Sequence, residues 1–345
     1  MMIFDDLPCF SSYTREEALS LLLDHEYGRL PSQPDTLEFH VVRREEDALA
    51  GKAIHLTVEA WVTLCGRGFS FPFELVCPKA ERPVPCVVLI SFTPEVPAAY
   101  LPSEELCDLG LAVASFHCGA VSPDNGDFSA KAGGLFQVDR GVATAPGKLA
   151  LWAWGASVVR EYLGTCSEID QEAVAVAGHS RLGKAALLAG ALDERFQFVF
   201  SNESGCSGAA LYRGKKGETA ADIQQMFPYW FSPSFANCTG NPDQLPFDQH
   251  FLLSLIAPRH LYVSSAEEDL WSDPAAEFRG CLAATPAFEA MGVSGLVGVG
   301  ARPQLGMAYH QGNIGYHLRA GKHFFSREDW RQFTAYLLFH RKPRG

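Results

Sequence analysis

The chain lacks the features that would mark it as a membrane, nucleic-acid-binding or disulfide-held protein. Its 345 residues contain no uninterrupted apolar run of about 18, the length a helix needs to cross a bilayer. Lys and Arg number 28 against 40 Asp and Glu, a formal net charge of −12, and there is no dense basic block. Nucleic acid and anionic membrane are therefore not expected as partners. The N-terminus, Met1-Met-Ile-Phe-Asp-Asp-Leu-Pro8, carries acidic residues where a secretory signal needs basic ones followed by an apolar run. Ten cysteines are scattered singly, without CxxC pairs or zinc-like spacing, so no metal is expected. Free thiols in a reducing cytoplasm are the expectation, and the sequon Asn237-Cys-Thr239 then carries no meaning. Internal repeats, low-complexity segments and long linkers are missing too, and nothing in the sequence gives the oligomeric state.

What is present is apolar matter for a large core: 47% of residues are hydrophobic and 20% charged. Residues 15–27 read as a helix with Leu19, Leu21, Leu22 and Leu23 on its apolar side, and 53–64 and 70–77 alternate as two paired strands. From there strands and helices alternate. Pro83-Val-Pro-Cys-Val-Val-Leu-Ile-Ser91 reads as a buried strand, followed by strands at 111–116, 174–177, 196–200, 260–264 and 313–319. Helices are expected at 147–163, from Lys184 onward, and at 328–340. This order implies a single α/β domain over 1–345, doubly wound, with a mainly parallel sheet and helices on both faces. Residues 1–80 supply a helix and antiparallel edge strands, and 81–345 the core. Sites in such sheets lie beyond the carboxyl ends of the strands.

Gly178-His-Ser-Arg-Leu-Gly-Lys184 stands at one of those ends, between the strand at 174–177 and a helix. Strand, Gly-x-Ser turn and helix form the arrangement of a nucleophile elbow and imply the α/β-hydrolase fold, with Ser180 as nucleophile. The second glycine comes three residues after the serine, which puts Arg181 beside it. A cation there suits a reaction that builds negative charge on oxygen; the alternative is a surface salt bridge. A serine hydroxyl needs a base. His323, between the last strand and last helix, is the best candidate. His317 reads as a packed histidine within its strand, His310 as a loop residue, and His179 as held by the elbow, pointing elsewhere. Two carboxylates compete to orient the base: Glu203 after the strand at 196–200, and Asp269 after that at 260–264. Glu267, Glu268 and Asp273 make the second segment acidic enough to be a solvated loop.

Together these residues resemble carbohydrate esterase family 15, the glucuronoyl esterases, and its bacterial members. That family carries Gly-Cys-Ser-Arg-x-Gly-Lys at its nucleophile, matched at Gly178, Ser180, Arg181, Gly183 and Lys184, with His179 in place of the cysteine. Its Glu-Ser-Gly segment matches Glu203 to Gly205, its later acidic segment Glu268 to Pro274, and its Gly-x-His loop Gly321-Lys-His323. The likeness runs from about residue 80 to 340. It implies a cofactor-free serine esterase of uronic acid sugars in which Glu203 orients His323, Asp269 is an auxiliary or substitute acid, and Arg181 donates to the oxyanion. It assigns Lys184 to the sugar hydroxyls and Trp271 to a sugar ring face, against the alternatives of a surface lysine and a core aromatic. Gln224 or Gln225 is a further candidate for reaching the sugar. Fungal members bond the cysteine beside the serine to one beside the histidine; here those positions are His179 and Phe324, which cannot form that bond. The implied partner is a small-molecule or oligosaccharide ester. Acetylated xylo-oligosaccharide esters are the rival substrate, and a non-catalytic hydrolase-fold binding protein is the rival class.

Overall fold

A computed structural model describes residues 6–30 and 33–341. Among them ten strands form one sheet: β1 (Thr36–Ala48), β2 (Ala53–Leu64), β3 (Arg67–Pro78), β4 (Val84–Ser91), β5 (Ala112–His117), β6 (Ile169–His179), β7 (Phe198–Asn202), β8 (His260–Ala266), β9 (Ala308–Tyr309) and β10 (Ile314–Arg319). Their order is β1-β2-β3-β5-β4-β6-β7-β8-β10-β9. β5, β4, β6, β7, β8 and β10 run parallel, whereas β1 to β3 form an antiparallel meander joined to β5. The described helices of eight residues or more are α1 (Arg15–Leu22), α2 (Lys148–Leu163), α3 (Arg181–Leu192), α4 (Pro274–Ala290) and α5 (Arg327–His340).

Alternation along the buried strand β4 explains why helices cover both faces. Val88 and Ile90 join the core that includes Leu149, Trp152, Leu182 and Ala186 of α2 and α3. Val87 and Leu89 point the other way, into a second core with Trp330, Phe333 and Leu337 of α5. This is the α/β-hydrolase architecture. It places the carboxyl ends of β6, β7, β8 and β10 side by side, and the loops after them carry the candidate residues.

Some elements differ from the sequence-based expectation. β1 is a long strand that the sequence reading does not include: Leu37 and Phe39 alternate with exposed neighbours and pack on the core, but most of its side chains are exposed and many in its second half are charged. The expected helix over 15–27 is α1, started by a Thr14–Glu17 capping box and continued by a π-helical turn at Leu23–Tyr27. α4, which the sequence reading does not include, is capped by Asp273. That carboxylate accepts from Ala276 N and Lys216 N, so Asp273 is a buried helix cap and not a solvated acid. All ten cysteines carry free thiols. No described helix is long and apolar enough to cross a membrane.

Candidate active site

Ser180 sits in the turn between β6 and α3 with φ 56° and ψ −129°, a strained conformation that pushes its side chain out at the strand end. Both glycines have a steric reason. A Cβ on Gly178 would lie 2.1 Å from the Leu182 carbonyl oxygen. One on Gly183 would come within 3.1 Å of Ser204 Cβ and 3.2 Å of the Asn202 carbonyl oxygen, a tight fit where α3 crosses the end of β7. Ser180 N donates to the Asn202 carbonyl at 2.9 Å, tying the elbow to the neighbouring strand.

His323 is carried by the loop between β10 and α5, and that loop is fixed at both ends. Ser326 caps α5 through a capping box with Asp329. Arg319, at the end of β10, donates through Nε to Asp329 (2.9 Å) and through Nη2 to Glu203 Oε1 (2.5 Å) and the Phe324 carbonyl. The histidine then meets both competing acids. Its Nδ1 lies 2.7 Å from Asp269 Oδ2 and 3.1 Å from Glu203 Oε2. Glu203 Oε2 also accepts from Phe324 N at 3.0 Å, and Asp269 Oδ1 accepts from Ser272 N.

The two carboxylates differ electrostatically. Burial drives Glu203 up to about 7, against the hydrogen bond from His323 and the charge of Arg319. Burial also pushes Asp269 upward, but hydrogen bonds from His323 and Ser272 outweigh it and its carboxyl ends below the ordinary range. Asp269 is thus the anion at neutral pH and Glu203 the one that is partly protonated. Burial works against the charged form of His323, yet the bonds and charges of Asp269 and Glu203 prevail and raise it to about 9.

Arg181 and Lys184 lie in the first turn of α3, directly after Ser180, and Trp271 stands two residues after Asp269. Arg181 Nε is 2.8 Å from Asp124 Oδ2, an ion pair in which the N–H is not aimed along a hydrogen bond. Its guanidinium lies over the rings of Phe92 (4.8 Å) and Trp230 (5.3 Å), and Trp230 Nε1 donates to Asp124 Oδ1. The pair is real but clamped and half-buried, unlike a surface salt bridge. Lys184 is buried, not a helix-surface residue: Nζ donates to the Ser204 carbonyl and lies 3.6 Å from Glu218 Oε2. Trp271 is 51% exposed, which excludes the core-aromatic alternative, and its Nε1 donates to Glu218 Oε1. Glu218 therefore joins the two residues that sequence assigned separately to a sugar. Gln224 has a buried Oε1 without a partner, while Gln225 is exposed. His317 is packed as expected, between Asp329 and the Tyr262 hydroxyl, and His310 bonds the same hydroxyl.

His179 departs from the expectation that it points elsewhere. It is buried, its Nδ1 donates to Asn202 Oδ1 at 2.5 Å, and its ring lies 4.4 Å from that of His323. Asn202, Arg319, Asp124, Trp230 and Glu218 escaped the sequence reading because each works through a partner remote in the chain. His179, Glu203 and His323 offer ligand atoms within 4.8 Å of one another, but Nδ1 of each histidine and both oxygens of Glu203 are already hydrogen-bonded. A cavity of about 670 Å³ lined by Cys77, Pro83, Tyr162 and Ile169 lies at the opposite, amino-terminal ends of β4 and β6 and contains none of the candidate residues.

Comparison with known proteins gives the family of the chain. A model of the family "Glucuronyl esterase, fungi" matches residues 61–292. Carbohydrate esterase MZ0003 of an unknown prokaryotic organism is 39% identical over 237 residues, covering 67% of this chain and 54% of that protein. The chain thus spans about half the length of that relative. A 4-O-methyl-glucuronoyl methylesterase of Schizophyllum commune is 29% identical over 81% of this chain and 68% of its own length. Among solved structures, a glucuronoyl esterase from Solibacter usitatus superposes with a TM-score of 0.87 at 32% identity, over 95% of this chain and 92% of the other. One from Teredinibacter turnerae gives 0.88 at 28% identity, over 97% and 89%. The elbow, the doubly held histidine and these matches place the chain in the glucuronoyl esterase family, carbohydrate esterase family 15.

Proposed function

We propose that this protein is a serine carboxylic-ester hydrolase that cleaves esters of a uronic acid sugar. The observation that carries the reading is His323 held through Nδ1 by two carboxylates in the loop beside the Ser180 elbow. With Nδ1 engaged, Nε2 is the nitrogen left to accept the serine proton. Ser180 Oγ attacks the ester carbonyl as its proton passes to His323, giving a tetrahedral oxyanion. The N-terminal N–H groups of α3 and the guanidinium of Arg181 stabilise that charge. Collapse expels the alcohol, which takes the proton from His323, and leaves the uronate bound to Ser180. Water, activated by the same histidine, then releases the sugar acid and restores the serine. Asp269 and Glu203 share the task of fixing the tautomer of His323 and balancing its charge. Lys184 and Trp271, linked by Glu218, hold the sugar through its hydroxyls and ring face. The Schizophyllum commune relative is a 4-O-methyl-glucuronoyl methylesterase, which supports this choice of substrate.

A paired assay tests the reading. The methyl ester of 4-O-methyl-glucuronate is expected to be hydrolysed with a kcat/KM at least about tenfold above that for acetylated xylose. The reverse preference would make the protein an acetyl esterase. No turnover of either, with binding retained, would make it a binding protein on a hydrolase fold.

A further inference from the structure

We propose that His179 is a positioning residue: its neutral ring holds the His323 ring by face contact and steadies the positive charge His323 gains when it takes the serine proton. This rests on the reading of Ser180 and His323 given above. The two rings lie 4.4 Å apart at 36°. His179 also packs against Phe325, stacked at 6.0 Å and 20°, Tyr100 at 5.2 Å and Phe92 at 6.2 Å. It is therefore a fixed surface against which His323 can rest.

Its protonation follows from its hydrogen bonds. Asn202 Nδ2 donates to Ser264 Oγ at 2.7 Å, which turns the amide oxygen toward His179. Facing an oxygen, Nδ1 of His179 must carry the hydrogen. Burial first, and then the nearby charge of His323, hold its titration down at about 3, so the ring stays neutral over the working range. A neutral π face attracts a cation placed above it. The charged and titratable groups that face His323 are then Asp269 and Glu203 at Nδ1 and the His179 ring at its face, with Arg319 behind Glu203. The carboxylates fix one edge of the imidazole, and His179 restrains its tilt. Asn202 serves both partners, because its backbone oxygen accepts from Ser180 N while its side chain orients His179.

Comparing His179→Phe with His179→Leu tests this. Both fill the site and both leave the Asn202 oxygen without its donor, so that shared cost cancels. The Phe variant is expected to keep kcat on the methyl glucuronate ester within about threefold. The Leu variant is expected to lose about tenfold in kcat, equivalent to about 1.4 kcal/mol, with KM changed by less than about twofold. By NMR titration, the His323 midpoint should fall in the Leu variant by about half a unit or more and stay near wild type in the Phe variant. His179→Gln, which restores a donor for Asn202 without a ring, should behave as the Leu variant. Equal kcat and equal midpoints for Phe and Leu, or a Gln variant as active as wild type, would overturn the proposal. Turnover by His323→Ala would bring down the base assignment instead, leaving the NMR comparison to judge the ring contact.

Discussion

Replacing Asp269 by Asn should move the pH dependence of the reaction further than replacing Glu203 by Gln. His323 must be neutral to accept the serine proton, and it titrates near 9 because two carboxylates favour its charged form. The rising limb of kcat/KM, which reports the free enzyme, should therefore have its midpoint high, toward 9. An opposite charge within about 4–6 Å shifts such a group by about 1–3 units. Asp269, 2.7 Å away and titrating below its ordinary range, carries its full charge throughout. Glu203, 3.1 Å away and raised to about 7, carries less of it in the acid part of the profile. Asp269→Asn should bring the limb down by about 1–2 units, and Glu203→Gln by less than about 1. Above the limb each variant should lose only about 10- to 100-fold in kcat, because the remaining carboxylate still holds the tautomer. The double variant should fall by about 10⁴-fold, the cost of losing the orienting acid altogether. Initial rates on the methyl glucuronate ester from about pH 5 to pH 10 measure both quantities. A limb that stays in place in Asp269→Asn, or a single variant that loses the full 10⁴-fold while the other loses nothing, would refute shared orientation.

Other expectations follow from the same contacts. Asp124→Asn should loosen Arg181 and lower kcat with little change in KM, and Arg181→Lys should cost about 10²-fold in kcat; equal effects on KM would remove Arg181 from the oxyanion site. Gly178→Ala puts a methyl group 2.1 Å from a backbone oxygen and should destabilise the fold by about 3 kcal/mol or more, read by chemical denaturation. Glu26 is fully buried between Tyr212 and Gln249, and burial raises it from 4.5 to about 7. For a carboxyl raised on folding, the unfolded chain loses its proton first. The destabilisation therefore begins as pH rises through 4.5 and is complete above about 7, at most about 3 kcal/mol. Glu26→Gln should match wild-type stability near pH 4 and exceed it at pH 8, where the wild type carries the full penalty. A gain of the same size at both pH values would contradict this origin.

The parts of the site visible in the sequence are those written in consecutive residues. Gly178 to Lys184 shows the elbow because a buried strand, a sharp turn and a small-residue helix must follow one another there. Gly321-Lys-His323 shows the base because its loop lies between the last strand and last helix. The choice between Glu203 and Asp269 was not legible, and the geometry explains why: β7 and β8 are neighbours, so both acids reach one nitrogen. The clamps on Arg181 were hidden because Asp124 and Trp230 converge from loops about a hundred residues apart. His179 was misread because neighbours in an elbow alternate direction, and only the fold shows that the loop carrying His323 returns over it. β1 lies outside the sequence reading because its alternation lasts only from Thr36 to Val41 and then gives way to the charged run Arg43 to Asp47.

The central claim is that Ser180 is the nucleophile. It is tested most directly by hydrolysis of the methyl ester of 4-O-methyl-glucuronate by wild type and Ser180→Ala at matched concentration, with folding checked by circular dichroism. The account predicts turnover by wild type and a folded Ser180→Ala protein whose rate falls by about 10⁴-fold or more. A folded Ser180→Ala variant that keeps wild-type turnover would contradict it.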